Sequence, residues 1–328
     1  MQYVVTERFI FTLFCTIFAF LGATHEVSAQ MSSSVVQASQ ITLSPQSPAP
    51  NSSATAHIDA YAMDTTGATI TWYIDGEEVP SAKNARSMNF TAGALGDTLS
   101  IRAVISPIGF PSFTVEKRVT PTAIDVIVEA ATYVPSFYLG RPLPSGDASV
   151  RVVAIPHVGD GANLSSFTYK WELNGGVLQG GAVKGKNSII LNVPRYTGGT
   201  VSVTVTDSSG ELIGTKTVSL EAMRPEIRFY EKNPLRGFQE QAITERLNLI
   251  ADETTIHAEP YFMNTEYGST RANFEWDING TRVPATDHKE NVITLKKTGA
   301  GGTAGVSVQA VTTGAIPQFT QGSFMILF

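Results

Sequence analysis

The sequence predicts an all-β chain of three tandem β-sandwich domains behind an N-terminal signal segment. A Trp-centred pentapeptide recurs three times: Trp72-Tyr73-Ile74-Asp75-Gly76, Trp171-Glu172-Leu173-Asn174-Gly175 and Trp276-Asp277-Ile278-Asn279-Gly280. Two residues before each Trp stands another apolar residue, Ile70, Tyr169 or Phe274, which gives the period-2 pattern of a strand with one buried face. The Trp residues lie 99 and 105 positions apart, close to the roughly 100 residues of a two-sheet sandwich.

The expected division is a signal peptide at 1–29, a flexible leader at 30–40, and sandwich domains at 41–128, 129–221 and 222–328. Residues 9–22 form an apolar run broken only by Thr12 and Thr16, with Arg8 before it and Val27-Ser28-Ala29 after it. That is the pattern of a cleaved export signal, and it is short for a spanning helix of about 20 residues. Membrane contact is expected only through this segment if it stays uncleaved, and localisation is expected to be extracytoplasmic, secreted or at the cell surface. The single cysteine, Cys15, lies within the run. The processed chain is then without a thiol, and neither a disulfide nor a zinc-thiolate site is available to it. A formal charge of −6 is too mild to grip nucleic acid.

In chain order, Pro45, Pro48 and Pro50 mark an edge-like entry strand. Ala54 to Met63 alternates, the first Trp hairpin follows, and Phe113 to Glu129 supplies the closing strands of the first domain. The second domain runs through Val150–Pro156, the Trp171 hairpin and Val201–Thr206. The third runs through Thr254–Met263, the Trp276 hairpin, Gly305–Val311 and a last strand ending at Phe328. Residues 237–253 are an insertion in which Gln239 to Ile250 has a composition that suits a helix and apolar positions that fit an extra hairpin almost as well. Each Trp is expected to be a core anchor. Asp75-Gly76, Asn174-Gly175 and Asn279-Gly280 are expected to form type I′ hairpin turns, which need positive φ at both central residues.

Two gapless matches mark true repetition. His57-x-Asp59-x-Tyr61-x-Met63 matches His257-x-Glu259-x-Tyr261-x-Met263. Glu129-Ala130, Phe137-Tyr138 and Pro142-Leu143 match Glu221-Ala222, Phe229-Tyr230 and Pro234-Leu235. The second match straddles the expected boundaries. Glu129, Phe137, Tyr138, Glu221, Phe229 and Tyr230 are therefore expected at inter-domain junctions of one shared, stiff geometry.

At the Trp hairpins and at Val201-Ser202-Val203-Thr204-Val205-Thr206-Asp207, the chain resembles immunoglobulin-like and PKD-like modules of exported bacterial proteins. With Phe229-Tyr230 through Gly237, it also resembles uncharacterised exported Ig-like proteins of candidate-phylum bacteria. The resemblance implies an Ig-like sandwich array and implies no established activity.

The remaining residues point away from chemistry. His57, His157 and His257 fall in separate domains, and Asp125, Glu129, Glu221 and Glu226 lack the spaced oxygen ligands of a calcium site. No metal, cofactor or catalytic residue is expected, and no nucleophile elbow, HExxH or phosphate-binding glycine loop is present. Four glycosylation sequons, at Asn51, Asn89, Asn163 and Asn279, carry little weight in a Ser/Thr-rich chain. Tyr73, Tyr61 and Tyr261 point outward by parity, toward solvent or toward a neighbouring module. The expected role is a non-catalytic surface or envelope interaction and spacer array with a protein or glycan partner. The alternative is a carbohydrate- or peptide-binding module serving a separate enzyme or envelope assembly.

Overall fold

The structure, a computed structural model, describes residues 39–61, 65–158, 163–233, 237–239, 241–265, 272–285, 290–297, 299, 301–313 and 316–328. The expected signal peptide, most of the leader, Met63 and Pro234-Leu235 lie outside them. Ser39 and Gln40, at the end of the expected leader, already belong to the first strand.

The chain is all-β, with its sheets falling into three consecutive pairs of Ig-like form. In the first pair β1 (Ser39–Ser44), β2 (Ser53–Ala60) and β5 (Ser87–Thr91) form one sheet in the order β1-β2-β5. The other, β4-β3-β6-β7, joins β4 (Glu77–Glu78), β3 (Thr69–Ile74), β6 (Leu99–Ser106) and β7 (Phe113–Val119). The second pair repeats this as β12-β9-β8 and β11-β10-β13-β14. Its strands are β8 (Ala123–Ala130), β9 (Ser149–His157), β10 (Thr168–Leu173), β11 (Gly176–Lys184), β12 (Ser188–Asn192), β13 (Gly199–Thr206) and β14 (Leu212–Leu220).

The third pair is β16-β15-β18-β21 and β17-β23-β22-β19-β20. Here β15 is Glu226–Asn233, β16 Gly237–Phe238, β17 Arg246–Asn248, β18 Glu253–Tyr261 and β19 Ala272–Ile278, followed by β20 (Thr281–Val283), β21 (Val292–Lys296), β22 (Thr303–Thr312) and β23 (Phe319–Leu327). The insertion at 237–253 is neither a helix nor a free-standing hairpin. After β16 pairs beside β15, the chain changes sheets and β17 runs parallel to β23, with Leu247 opposite Ile326. Leu247 packs on the core while Arg246 and Asn248 are exposed, so the short apolar spacing serves an edge strand.

Two compact units result. One comprises Met1–Ala123, Pro156–Asn163 and Gly210–Gly214, and the other Ile124–Ile155, Leu164–Ser209 and Thr215–Phe328. Strand β8, expected to close the first sandwich, instead pairs in the sheet of β9. Its alternating apolar residues were compatible with either neighbour, because alternation fixes a face and not a partner.

Each sandwich closes over its Trp. Trp72, Trp171 and Trp276 are 0%, 2% and 1% exposed, and each stands opposite a small or β-branched residue, Ala103, Val203 or Val308. The indole N–H donates to a backbone carbonyl of the loop entering the following outer strand: Ala85 at 2.8 Å, Lys186 at 2.9 Å and Glu290 at 2.9 Å. The next carbonyl along, of Arg86, Asn187 or Asn291, accepts from the amide of Ile58, Ala154 or Ala258 in the opposite sheet, at 3.0, 2.8 and 2.9 Å. Two adjacent peptide groups thus tie one sheet to the other across the edge of each core.

The hairpins are equally regular. Asp75, Asn174 and Asn279 have φ of 49°, 51° and 50°, and Gly76, Gly175 and Gly280 have φ of 88°, 78° and 79°. The Asx oxygen accepts from the backbone N–H of Ser100, Thr200 or Gly305, at 2.7, 2.8 and 2.8 Å. The Asx amide donates back to the carbonyl of the same residue, at 2.9, 2.9 and 3.0 Å. The turn therefore fixes both its own conformation and the register of the neighbouring strand.

Trp171→Ala should cost about 3–5 kcal/mol by leaving a large cavity. Trp171→Phe keeps most of the apolar bulk but removes the donor to Lys186, and should cost about 1–3 kcal/mol. Denaturant unfolding of the full chain checks both, and a neutral Phe variant would show that the indole bond contributes nothing. Gly280→Ala should cost about 1–2 kcal/mol from positive φ alone, since no atom lies within 4 Å of the added carbon. A Tm unchanged by Gly280→Ala would remove the strain argument.

Candidate functional site

A cluster of buried side chains apart from the sandwich cores lies within the second compact unit, on the outer face of the β15–β18 sheet. Strand parity sends Ile256 and Ala258 inward, toward the Trp276 core. His257, Glu259 and Tyr261 then face outward, where a sandwich ordinarily meets water. Here all three are buried, at 7%, 5% and 5% exposure. The cover is the connection between β8 and β9, residues 131–148, together with Phe238 of β16, whose ring meets His257 edge-on at 4.5 Å.

Backbone pairing positions that connection. Thr132 and Asn264 form an antiparallel bridge, the Tyr133 amide donates to the Met263 carbonyl at 2.8 Å, and the Phe262 amide donates to the Tyr133 carbonyl at 2.7 Å. Farther along, Ser145 bridges Met223 in parallel. The side-chain amide of Gln318 donates to the Ser145 hydroxyl at 2.9 Å and to the Gly146 carbonyl at 2.7 Å, while its oxygen accepts from the Asn264 amide at 2.7 Å. Thr132 donates to the Leu143 carbonyl at 2.8 Å, which closes the connection on itself.

Aromatic side chains fill the space beneath. The Phe137 ring meets Tyr230 edge-on with centroids 5.0 Å apart and lies 5.5 Å from Phe238, and Tyr138 meets Tyr261 edge-on at 5.3 Å. These geometries match the quadrupole preference of aromatic pairs. A carbon added at Gly140 would fall 2.4 Å from the Tyr138 ring, so only glycine leaves that ring its place.

Two hydroxyl contacts complete the layer. Tyr133 donates to Glu259 Oε2 at 2.7 Å, and the hydroxyls of Tyr230 and Tyr261 lie 2.7 Å apart. Burial raises the Glu259 carboxyl above its ordinary value, and the Tyr133 hydrogen bond opposes that rise. Burial also raises Tyr133, reinforced by its bond to Glu259, and raises Tyr261, reinforced by Tyr230. In all three groups burial moves the balance toward the neutral form.

The expected junction residues divide. Phe137, Tyr138 and Tyr230 meet here. Phe229 does not: it turns into the core of the third sandwich, 4.7 Å from Phe324 and 6.2 Å from Trp276. The matched pairs Phe137-Tyr138 and Phe229-Tyr230 therefore occupy unlike places, a connection in one case and strand β15 in the other. Glu129 and Glu221 are both exposed. Tyr133, Glu259, Ser145 and Gln318 escaped the sequence reading, although the matched His-x-Glu-x-Tyr run carried one of them. Of the outward tyrosines, Tyr261 is buried here, Tyr61 is exposed, and Tyr73 lies beneath the guanidinium of Arg102 at 4.4 Å.

Among the described residues no group of three or more His, Cys, Asp or Glu side chains could hold a metal ion, and no helix is long and apolar enough to cross a membrane. In the first compact unit an open, polar cleft of about 460 Å³ lies along β1 and β7 beside Glu211, which pairs with Lys117 at 3.1 Å.

No family model and no curated protein matches the chain. Solved structures similar to it include arrays of several domains. The three N-terminal domains of the outer capsid protein Hoc of bacteriophage RB49 share 9% identity, covering 88% of this chain and 98% of theirs, with a TM-score of 0.24. The insect immune protein hemolin shares 10%, covering 88% and 76%, at 0.23. A 1.5-MDa bacterial ice-binding adhesin shares 11%, covering 88% and 96%, at 0.23. Identities and scores this low transfer no activity.

Because the Glu259 carboxyl is raised, the folded state holds its proton to higher pH than the unfolded chain does. Its contribution to stability therefore falls as pH climbs above the ordinary value of 4.5. Glu259→Gln keeps an oxygen for the Tyr133 hydroxyl and removes the titration. The variant should lose this part of the decline in Tm between mildly acidic and neutral pH. Parallel Tm profiles for the two proteins would show that the carboxyl titrates normally.

Proposed function

We propose that this chain is a non-catalytic, exported interaction and spacer protein of a bacterial cell surface or envelope, built from three Ig-like, PKD-like domains. The observation that carries this reading is the covered outer face of β18, where outward His257, Glu259 and Tyr261 are as buried as inward Ile256, Ala258 and Pro260. A sandwich ordinarily buries one face of each sheet. Burying the second face against the β8–β9 connection makes the join between the second and third domains a packed interface. Flexible domain linkers are, by contrast, polar and make few crossing contacts. A fixed join sets direction between domains, which is useful for display and of no evident use to a soluble catalyst.

Export is supported by the apolar run at 9–22 and by the confinement of cysteine to Cys15. The lack of a catalytic constellation in the sequence supports a binding role. Proposed boundaries follow the sheets, with the second domain beginning at β8 and the third at β15.

Amide ¹⁵N relaxation of the full chain tests the fixed join. The β9–β13 and β18–β22 amides should report one shared rotational diffusion tensor, and Tyr133→Ala combined with Tyr138→Ala should split it in two. Independent tumbling of the second and third domains in the unaltered protein would overturn the reading.

A further inference from the structure

The first sandwich carries the same outer face that the third has covered. The registers correspond residue for residue: Gln40 faces Asp59, Thr42 faces His57 and His57 faces Ser87 in the first, as Arg228 faces Glu259, Tyr230 faces His257 and His257 faces Val292 in the third. A side-chain ladder one step away is also kept, with Thr55 on Asn89 at 2.8 Å and Thr255 against Thr294 at 3.2 Å. His57 and Asp59 therefore lie on the surface that His257 and Glu259 form in the third sandwich, with Tyr61 in the bend that directly follows β2.

What differs is the cover. Tyr61 is 76% exposed where Tyr261 is 5% exposed, and His57 is exposed where His257 is buried. No described residue hydrogen-bonds or ion-pairs with the Asp59 side chain, whereas Glu259 accepts from Tyr133. Thr42 stands in the place of Tyr230, so the Tyr61 hydroxyl also lacks the tyrosine partner of its counterpart. Elsewhere in the first sandwich, Ile108, 78% exposed, and Phe110, 55% exposed, lie on the connection between β6 and β7.

We propose that this face of the first sandwich is a docking site for a tyrosine- and proline-containing polypeptide segment of a partner chain, turned as residues 135–138 are, where the Tyr138 amide donates to the Pro135 carbonyl at 2.9 Å. The covered face within the same molecule defines the occupant's chemistry. In residues 133–138 a Tyr supplies a hydroxyl to the carboxylate, Pro135 limits the backbone, and a second Tyr stacks edge-on against the strand tyrosine. The partner segment places a hydroxyl on Asp59 and an aromatic ring on Tyr61. Side-chain pockets lined by aromatic rings are a common basis for peptide recognition. The inference rests on the reading of the chain as an interaction array and adds the partner's chemistry to it.

A labelled synthetic peptide of residues 131–143 is the probe, titrated into the full chain and followed by fluorescence anisotropy. Saturable binding is expected, weakened about tenfold or more by Asp59→Ala or Tyr61→Ala, as for truncation of an interface anchor. Both positions are on the surface, and circular dichroism confirms that the variants fold. Peptides carrying Tyr133→Phe or Tyr138→Ala should bind more weakly than the parent. No saturable binding up to millimolar peptide would overturn the proposal. So would binding indifferent to Asp59 and Tyr61, which would place the peptide elsewhere, for instance in exchange with its own copy on Glu259. Retention of an oligosaccharide at Tyr61 without peptide binding would overturn it in favour of a glycan site. A failed titration alongside shared tumbling of the second and third domains removes this inference alone, whereas independent tumbling removes the reading beneath it.

Discussion

The indole hydrogen bond is the constraint on which each sandwich depends. Two sheets of Val, Ile and Ala would pack acceptably in several offsets, because apolar contact is not directional. The Trp N–H is directional. By capturing one carbonyl of the loop that enters the outer strand, it fixes where the next carbonyl reaches the opposite sheet, and the offset between the layers follows. The Asx turn at the end of the same strand then fixes the neighbouring strand's register. Hydrogen bonds to main-chain groups do here what a disulfide between sheets does in antibody domains.

A second principle governs the third sandwich. Covering the outer face of β18 requires that every polar group sent there find a partner, since an unpaired buried polar atom costs about 1–3 kcal/mol. Glu259 meets Tyr133, Tyr230 meets Tyr261, and Gln318 uses both ends of its amide. The junction is thus specified by hydrogen bonding as much as by the aromatic layer. Slippage by a single residue would orphan several of these groups together, which favours one arrangement over many.

Much of this was legible in the sequence. Period-2 alternation and Asx-Gly pairs carry strand and turn information locally, and the positive φ values at all three hairpins are of that kind. The junction was harder to read. His57-x-Asp59-x-Tyr61 and His257-x-Glu259-x-Tyr261 are nearly the same string, yet one face is open and the other closed. Alternation says which side chains share a face and is silent about what arrives from 126 residues away to cover it, as Tyr133 does on Glu259. The Phe-Tyr repeat misled for a related reason: identical spacing placed one pair in a connection and the other in a strand, where Phe229 was drawn into the core by Trp276 and Phe324. The insertion after β16 likewise owes its place to an edge of β23 that local spacing does not announce.

The loop that receives each indole offers only its peptide carbonyls. The residues at the accepting positions are Ala85, Lys186 and Glu290, which are small, cationic and anionic in turn. The architecture is therefore blind to side-chain identity at the very place where its two layers are joined. Charge, size and hydrophobicity there can drift or be redesigned while the core beneath stays the same. A scaffold held in this way lets its surface diversify from one domain to the next without renegotiating its fold.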